Sequence, residues 1–573
     1  MTVYRPDIVG SKYAISAGHY LAAETGFDIL KGGGNAVDAG VAAGLVIGVV
    51  QSDIVNIAGV APTIIWLAEE QKLVNIDGLG VWPAGIPADY FLKNYGGEIP
   101  IGIERTILPA APASWLKSLE LYGTMSFSEV AEAAIRFAAE GFPMYPLMSD
   151  YISENLANYS KWPSTAEIYL PGGRAPKPGE LFVQSDLART LRYMADEEAA
   201  HAAGGRAAGI RAARDAFYKG DIAKAIADFH RDNGGFLTRE DLATFDVRFE
   251  PTVRVTFGDI DVHCCGPWSQ GPALAQSLAT IKAAGIDGLQ HNSVEYIHRI
   301  VEALKLTFAD REAYVGDAAF IDVPLDEMIS DTYAEARAGL IDANRAWPEM
   351  PPAGDPSAGL AIRAEFPPNP PGEDGLPPQH DTSYVCVVDE AGNAFSATPS
   401  DVSRHSPVIP GTGLCPSERG SQSRGDPAHP AGMAPGKRPR LTPNPAMALK
   451  GGRPYLVFGS PGADVQIQAM AQVFLNISHF GMGVQEALEA PRFATFSFPA
   501  TFAPHNYFPG RLNLESRFPE STATALSAMG HTIEWWPETT WRAGAVCAIK
   551  RDEDHDLLHA GGDPRRMCYA LAW

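Results

Sequence analysis

A chain of 573 residues, 46% of them apolar, can bury a large core. Its formal net charge of −23 argues against nucleic acid and against an anionic membrane surface, because both are bound through clustered Lys and Arg. The six cysteines show no CxxC and no Cys/His ligand spacing, which argues against structural zinc and fits buried thiols in a reducing compartment.

Residues 1–16 lack a basic segment followed by a long apolar run, so no signal peptide is expected and the cytoplasm is the expected location. Residues 36–50 predict a helix that is apolar almost all round and therefore buried, with Asn35 as its cap after Gly32-Gly33-Gly34. It contains Asp38 and is too short to span a bilayer. Residues 63–67 and 73–76 predict strands, and helical periodicity follows over 127–139, 186–194, 222–230 and 293–314. The Ala-rich, charged stretch 195–215 predicts a solvent-facing helix or an insertion. Ten prolines then fall between Pro348 and Pro378, which predicts an exposed irregular tether. Beyond it the chain turns β-rich, with short strands expected over 384–388, 394–397, 446–449 and 454–457. A helix is expected over 464–480, and late strands over 545–549 and 567–571.

Most familiar motifs are absent or incomplete. Gly32-Gly33-Gly34 lacks the GxGxxG order, Pro435-Gly436-Lys437-Arg438 is not a P-loop, and Gly459-Ser460-Pro461-Gly462 is not a GxSxG elbow. His298 and Glu302 lie one helical turn apart, a spacing that reads as a surface contact rather than a metal site. No metal and no organic cofactor is expected.

Thr382 carries the chemistry. It opens the run Thr382-Ser383-Tyr384-Val385-Cys386-Val387-Val388-Asp389, directly behind the proline-rich tether. Cleavage between Asp381 and Thr382 would free an α-amine with a pKa of about 8, so one residue would supply both a hydroxyl nucleophile and its base.

The chain resembles the gamma-glutamyltranspeptidase family of N-terminal nucleophile hydrolases. The resemblance rests on blocks in order along nearly the whole sequence. They run from Gly33-Gly34-Asn35-Ala36-Val37-Asp38-Ala39 through Phe308-Ala309-Asp310-Arg311, the Thr382 run and Lys437-Arg438-Pro439. Gly459-Ser460-Pro461-Gly462, Ala490-Pro491-Arg492-Phe493 and Asp563-Pro564-Arg565-Arg566 complete the series. The resemblance implies an αββα sandwich of the α/β class. It implies a precursor split into a large subunit, residues 1–381, and a small subunit, residues 382–573, which together form one domain. It places the nucleophile at Thr382, a supporting hydroxyl at Ser400, and an oxyanion hole at the amides of Gly462 and Ala463, where the family has Gly-Gly. Its partners are a small-molecule amide and water, and a homo-oligomer of the processed heterodimer stays open.

The departures fall in the substrate pocket. Leu79 stands where the family's carboxylate-binding Arg would be, Leu441-Thr442 replaces a Ser-Ser pair, and Gln422 stands for the acidic residue that takes the α-amine. Arg440 could offer one cation, although a structural role fits it better. The reading is an autoprocessed N-terminal-threonine amidohydrolase that is not specific for gamma-glutamyl groups. Its rivals are a gamma-glutamyltransferase/glutathione hydrolase, a cephalosporin-type acylase, and an inactive, unprocessed scaffold.

Overall fold

Two antiparallel sheets meet face to face in the computed structural model, which describes residues 4–362 and 382–573. The six-stranded sheet runs Tyr569–Ala572, Ala14–Ala17, Val385–Val388, Ala394–Ala397, Thr63–Leu67, Lys72–Ile76. The seven-stranded sheet runs Ile8–Gly10, Leu557–Gly562, Cys547–Asp552, Arg453–Gly459, Ala446–Lys450, Ile260–Cys264, Val253–Phe257. Strands from both sides of residue 382 are interleaved in each sheet.

Side chains alternate between the two faces of each strand, as the pleat requires. In Val385–Val388, Val385 and Val387 join the core under one helical layer, while Cys386 and Val388 join the core between the sheets. In Ala446–Lys450, Met447 and Leu449 face the inter-sheet core, while Ala446 and Ala448 face the second helical layer. Helices Tyr20–Lys31 and Ala36–Val50 cover the first sheet, and Gly271–Ala284, Val294–Tyr314 and Gln466–Ser478 cover the second. The order of layers is αββα.

Ala36–Val50 is buried at every position, as its composition predicts. Asn35 and Asp38 form a reciprocal capping box at its start. Gly40 lets the helix lie on Phe395: a Cβ there would come within 2.2 Å of the ring. The turn Asp389–Asn393 ties this helix to the sheet, since Asp389 Oδ2 accepts from the Ala36 amide at 2.9 Å and Asn393 Oδ1 from the Ala68 amide at 2.9 Å.

Three expectations change. Of the two alternatives for 195–215 the helix holds, but it is not solvent-facing all round: Ser185–Ala200 runs into the stretch, and Arg206–Tyr218 buries Ile210, Ala213, Ala216 and Phe217 against the core while Arg211 stays exposed. Small alanines hide an inward stripe that charge content alone does not reveal. The strand behind Thr382 begins at Val385, and Thr382 itself makes an isolated antiparallel bridge with Ser400. A third sheet, Phe493–Thr495, Arg511–Glu515 and Thr532–Trp536, was not anticipated. Asp381 and the 363–381 part of the tether lie outside the described residues.

Candidate active site

Thr382 and Ser400 sit side by side because the chain doubles back between the strands Val385–Val388 and Ala394–Ala397. Both are buried, and Thr382 Oγ1 lies 2.7 Å from Ser400 Oγ. The 57–62 run braces this corner. Val60 and Ser400 exchange backbone hydrogen bonds at 3.0 and 3.1 Å, and Gly59 is required there, because a Cβ would come 2.4 Å from Ser400 O. Arg566 Nη1 donates to Thr382 O at 3.1 Å.

Two further side chains converge on this hydroxyl pair. Arg419 Nη2 donates to Ser400 Oγ. Gln466 opens the helix Gln466–Ser478, and the acceptors Ser460 O and Thr442 O fix its amide nitrogen at 3.1 and 3.2 Å. Its oxygen then faces Thr382 Oγ1 at 3.4 Å. Behind Ser400, Arg419, Arg105 and Arg404 are buried with Asp401 and Glu418. Burial, with Glu418 adding to it, pushes the Asp401 carboxyl up to about 7 against the pull of Arg419.

The turn before Gln466 is held in unusual backbone geometry. Gly462 has φ +123°, and Ala463 has φ +51°, a left-handed conformation that an alanine adopts at a cost. Among the described residues neither amide donates a hydrogen bond. Asp464 anchors the turn by accepting from Arg311, from Gln270 Nε2 at 2.6 Å and from the Thr501 amide at 2.8 Å. Two adjacent unengaged N–H groups on a rigid turn can stabilise a developing oxyanion.

Gly462 and Ala463 line a cavity of about 160 Å³. Its walls are aromatic: Phe496, Phe498, Phe508, Trp535, Trp536 and Trp541. Arg511, Arg542 and Arg566 add three guanidinium groups.

The other predicted pocket residues are placed less uniformly. Gln422 Nε2 donates to Thr442 Oγ1 at 2.8 Å, and Thr442 O meets the Gln466 amide, so these two residues do reach the Thr382 cluster. Leu441 is buried between the sheets, its amide on Trp268 O at 2.7 Å. Arg440 is committed elsewhere: Nη1 donates to Arg311 O at 3.0 Å and Nη2 to Glu312 at 2.5 Å. Burial opposes the Glu312 charge, but Arg440, Arg424 and Arg311 outweigh it and hold the carboxyl well below its usual range. Leu79 is buried and lines a different cavity, with Asp77, Val81 and Trp82, that shares no lining residue with the one at Gly462.

The family model for gamma-glutamyltranspeptidase matches residues 22–573. The chain belongs to the gamma-glutamyltranspeptidase family. It is 31% identical over 566 residues to the glutathione hydrolase-like YwrD proenzyme of Bacillus subtilis (strain 168), covering 98% of each chain. It is 31% identical over 574 residues to the acylase ACY 1 proenzyme of Pseudomonas sp. (strain V22), covering 98% of this chain and 93% of that one. It superposes on the crystal structure of cephalosporin acylase from Bacillus halodurans with a TM-score of 0.86 and 27% identity, over 100% and 98% of the two chains. Members of this family are hydrolases and acyltransferases acting on amide bonds.

The blocks that carried the family resemblance are largely buried ion pairs. Arg438 bridges Asp77 at 3.0 Å and Asp317 at 2.7 Å. Arg492 pairs with Asp563 at 2.6 Å, and Arg565 with Glu515 at 2.6 Å. These networks sit within the layers and fix their relative positions; a buried charge left without its partner is costly.

His298 and Glu302 are not a surface contact. Both are buried, and with His531 they bring three ligand-type atoms within 4.8 Å of one another. Their helix lies beneath the third sheet, which periodicity could not foresee. The atoms are already engaged: His298 Nδ1 meets His531 Nε2 at 2.9 Å, and His298 Nε2 donates to Asp342 O at 2.7 Å. Glu302 accepts from the Trp347 amide and pairs with the buried Lys305 ammonium at 2.8 Å. That ammonium opposes a second cation, and the cluster reads as an anchor for residues 342–347. All six cysteines are buried and free, and burial pushes the Cys264 thiol up to about 12, away from reactivity.

Sequence reasoning missed Arg419, Gln466, Arg566 and the aromatic cavity. The density of aromatics over 493–508 and the pair Trp535-Trp536 could have marked the cavity. Among the described residues no helix is long and apolar enough to cross a membrane.

Proposed function

We propose that this chain is a proenzyme that cuts itself before Thr382 and then hydrolyses an amide of a small molecule through an acyl-enzyme on that residue. In the first reaction Thr382 Oγ1 attacks the Asp381 carbonyl carbon. The C–N bond breaks as the ester forms, which frees the α-amine, and water then hydrolyses the ester to return the Thr382 hydroxyl and leave Asp381 with a free carboxylate. In the second, Oγ1 attacks the substrate carbonyl carbon while its proton passes to the α-amine. The C–N bond breaks, the proton leaves with the amine, and water returns the hydroxyl and the free acid. Ser400 supports the nucleophile, and the amides of Gly462 and Ala463 take the oxyanion.

The observation that carries this reading is the 2.7 Å contact between the buried hydroxyls of Thr382 and Ser400. A gamma-glutamyl enzyme is the weaker reading, because Gln422, which reaches the Thr382 cluster through Thr442, brings no negative charge to an α-ammonium. Intact mass spectrometry of the purified protein tests the first step: the expected result is two species, residues 1–381 and 382–573. They should co-elute under native conditions, because their strands interleave in both sheets. A persistent single full-length species would refute self-cleavage. An inactive scaffold would show that same single species and no amidase activity.

A further inference from the structure

The cavity beside Gly462 and Ala463 has a chemistry of its own. At about 160 Å³ it has the size of a cavity that holds one benzene ring. Aromatic walls favour a flat apolar group through stacked and edge-on contacts, and Phe496 and Trp536 already meet edge-on at 6.1 Å between ring centres.

The charges around this slot are lopsided in a protein whose net charge is −23. Three guanidinium groups line it, against the carboxylates of Asp464 and Glu534. Asp464 is held by Arg311, Gln270 and Thr501. Two of the cations also have work: Arg566 donates to Thr382 O and to Trp541 O, and Arg511 lies over Phe508 with its Nε on Asn513 Oδ1. Arg542 is different. Its guanidinium lies over the Trp541 ring, 5.3 Å from the centroid, and among the described residues it makes no ion pair and its buried Nε has no hydrogen-bond partner. A half-buried guanidinium that lines an aromatic slot, with no hydrogen bond from its Nη groups among the described residues, matches a carboxylate.

We propose that this cavity receives the half of the amide substrate that carries a single aromatic ring and a carboxylate, with the ring against Phe496 and Trp536 and the carboxylate on Arg542. Calling that ligand half of a substrate rests on the amidohydrolase reading above. The binding chemistry does not.

The test is therefore a binding measurement on the full, wild-type protein, by tryptophan fluorescence and calorimetry. The probes are phenylacetate, its neutral isostere phenylacetamide, and acetate. Phenylacetate should bind about tenfold more tightly than either of the others, because it alone offers both ring and charge. Arg542→Leu should bring phenylacetate down to the level of phenylacetamide without weakening phenylacetamide, and Arg542→Lys should recover part of the loss. Equal binding of phenylacetate and phenylacetamide by the wild type overturns the proposal, whatever the variants do. So does an unchanged preference in Arg542→Leu, or binding of none of the three. Selective binding without any amide turnover would instead overturn the amidohydrolase reading and leave the ligand class standing.

Discussion

The guanidinium of Arg419 donates to Ser400 Oγ, and Ser400 Oγ lies 2.7 Å from Thr382 Oγ1. A guanidinium only donates, so Ser400 Oγ accepts from Arg419, and in that arrangement the Ser400 O–H can be the donor toward Thr382 Oγ1. A positive charge on the far side makes that O–H a stronger donor toward an oxygen gaining negative charge. Arg419→Met should therefore lower kcat about 10- to 100-fold with little change in KM, and slow self-cleavage in parallel. Arg419→Lys should recover part of both. Loss of folding alone, with normal kcat in the surviving protein, would reduce Arg419 to a structural partner of Asp401.

Thr382→Ala should abolish cleavage and amidase activity while the melting temperature changes little, since it removes only a hydroxyl and a methyl. Thr382→Ser should keep part of both activities. Full amidase activity in Thr382→Ala would place the nucleophile elsewhere.

The two turn residues should respond oppositely to changes in side-chain size. Ala463 pays left-handed strain at φ +51°, so Ala463→Gly should keep kcat within about twofold, because the backbone amide remains. Gly462 stands at φ +123°, and Gly462→Val should cost about 1–3 kcal/mol of stability and most of the activity. Denaturation midpoints and steady-state rates measured on both variants check the contrast.

Gamma-glutamyl anilides should be poor substrates beside simple acyl anilides, compared by kcat/KM. Leu79→Arg should not rescue them, since Leu79 is buried and lines a cavity apart from Gly462 and Ala463. The variant should instead lose several kcal/mol of stability from an unpaired buried guanidinium. Efficient gamma-glutamyl turnover by the wild type would restore the ordinary family activity.

Acid should destabilise the fold through its buried histidines, His19 and His230 among them. Burial pushes His19 and His230 down to about 3, from about 6.5 in the unfolded chain. A depressed folded-state pKa means that the stabilisation is present above pH 6.5 and is lost as pH falls toward 3, with unfolding taking up protons. At pH 5 each group should cost about 2 kcal/mol relative to neutral pH. Urea midpoints between pH 7 and 5 check this, and His230→Leu should remove about one proton from the uptake. A midpoint flat across that range would contradict it.

The sequence by itself determined the layered fold, the buried helix Ala36–Val50 with its Asn35 cap, and the candidacy of Thr382, because periodicity, capping chemistry and block order are local properties of the chain. It also marked Ser400, Gly462 and Ala463, which the tertiary structure places around one corner or on the adjoining turn. Only the tertiary structure decided what lies next to them. Arg419 reaches Ser400 from 19 residues away along the chain and Arg566 reaches Thr382 from 184, distances at which no local pattern operates. Arg440 read as a structural cation, but only packing named Glu312 as its partner, and Leu79 looked like a pocket wall until the fold placed it in another cavity. The aromatic slot exists because a third sheet folds over the Gly462 turn. Which faces of a helix or strand are covered, and which cation is left without an acid, is set by contacts between distant elements and not by the order of residues within one.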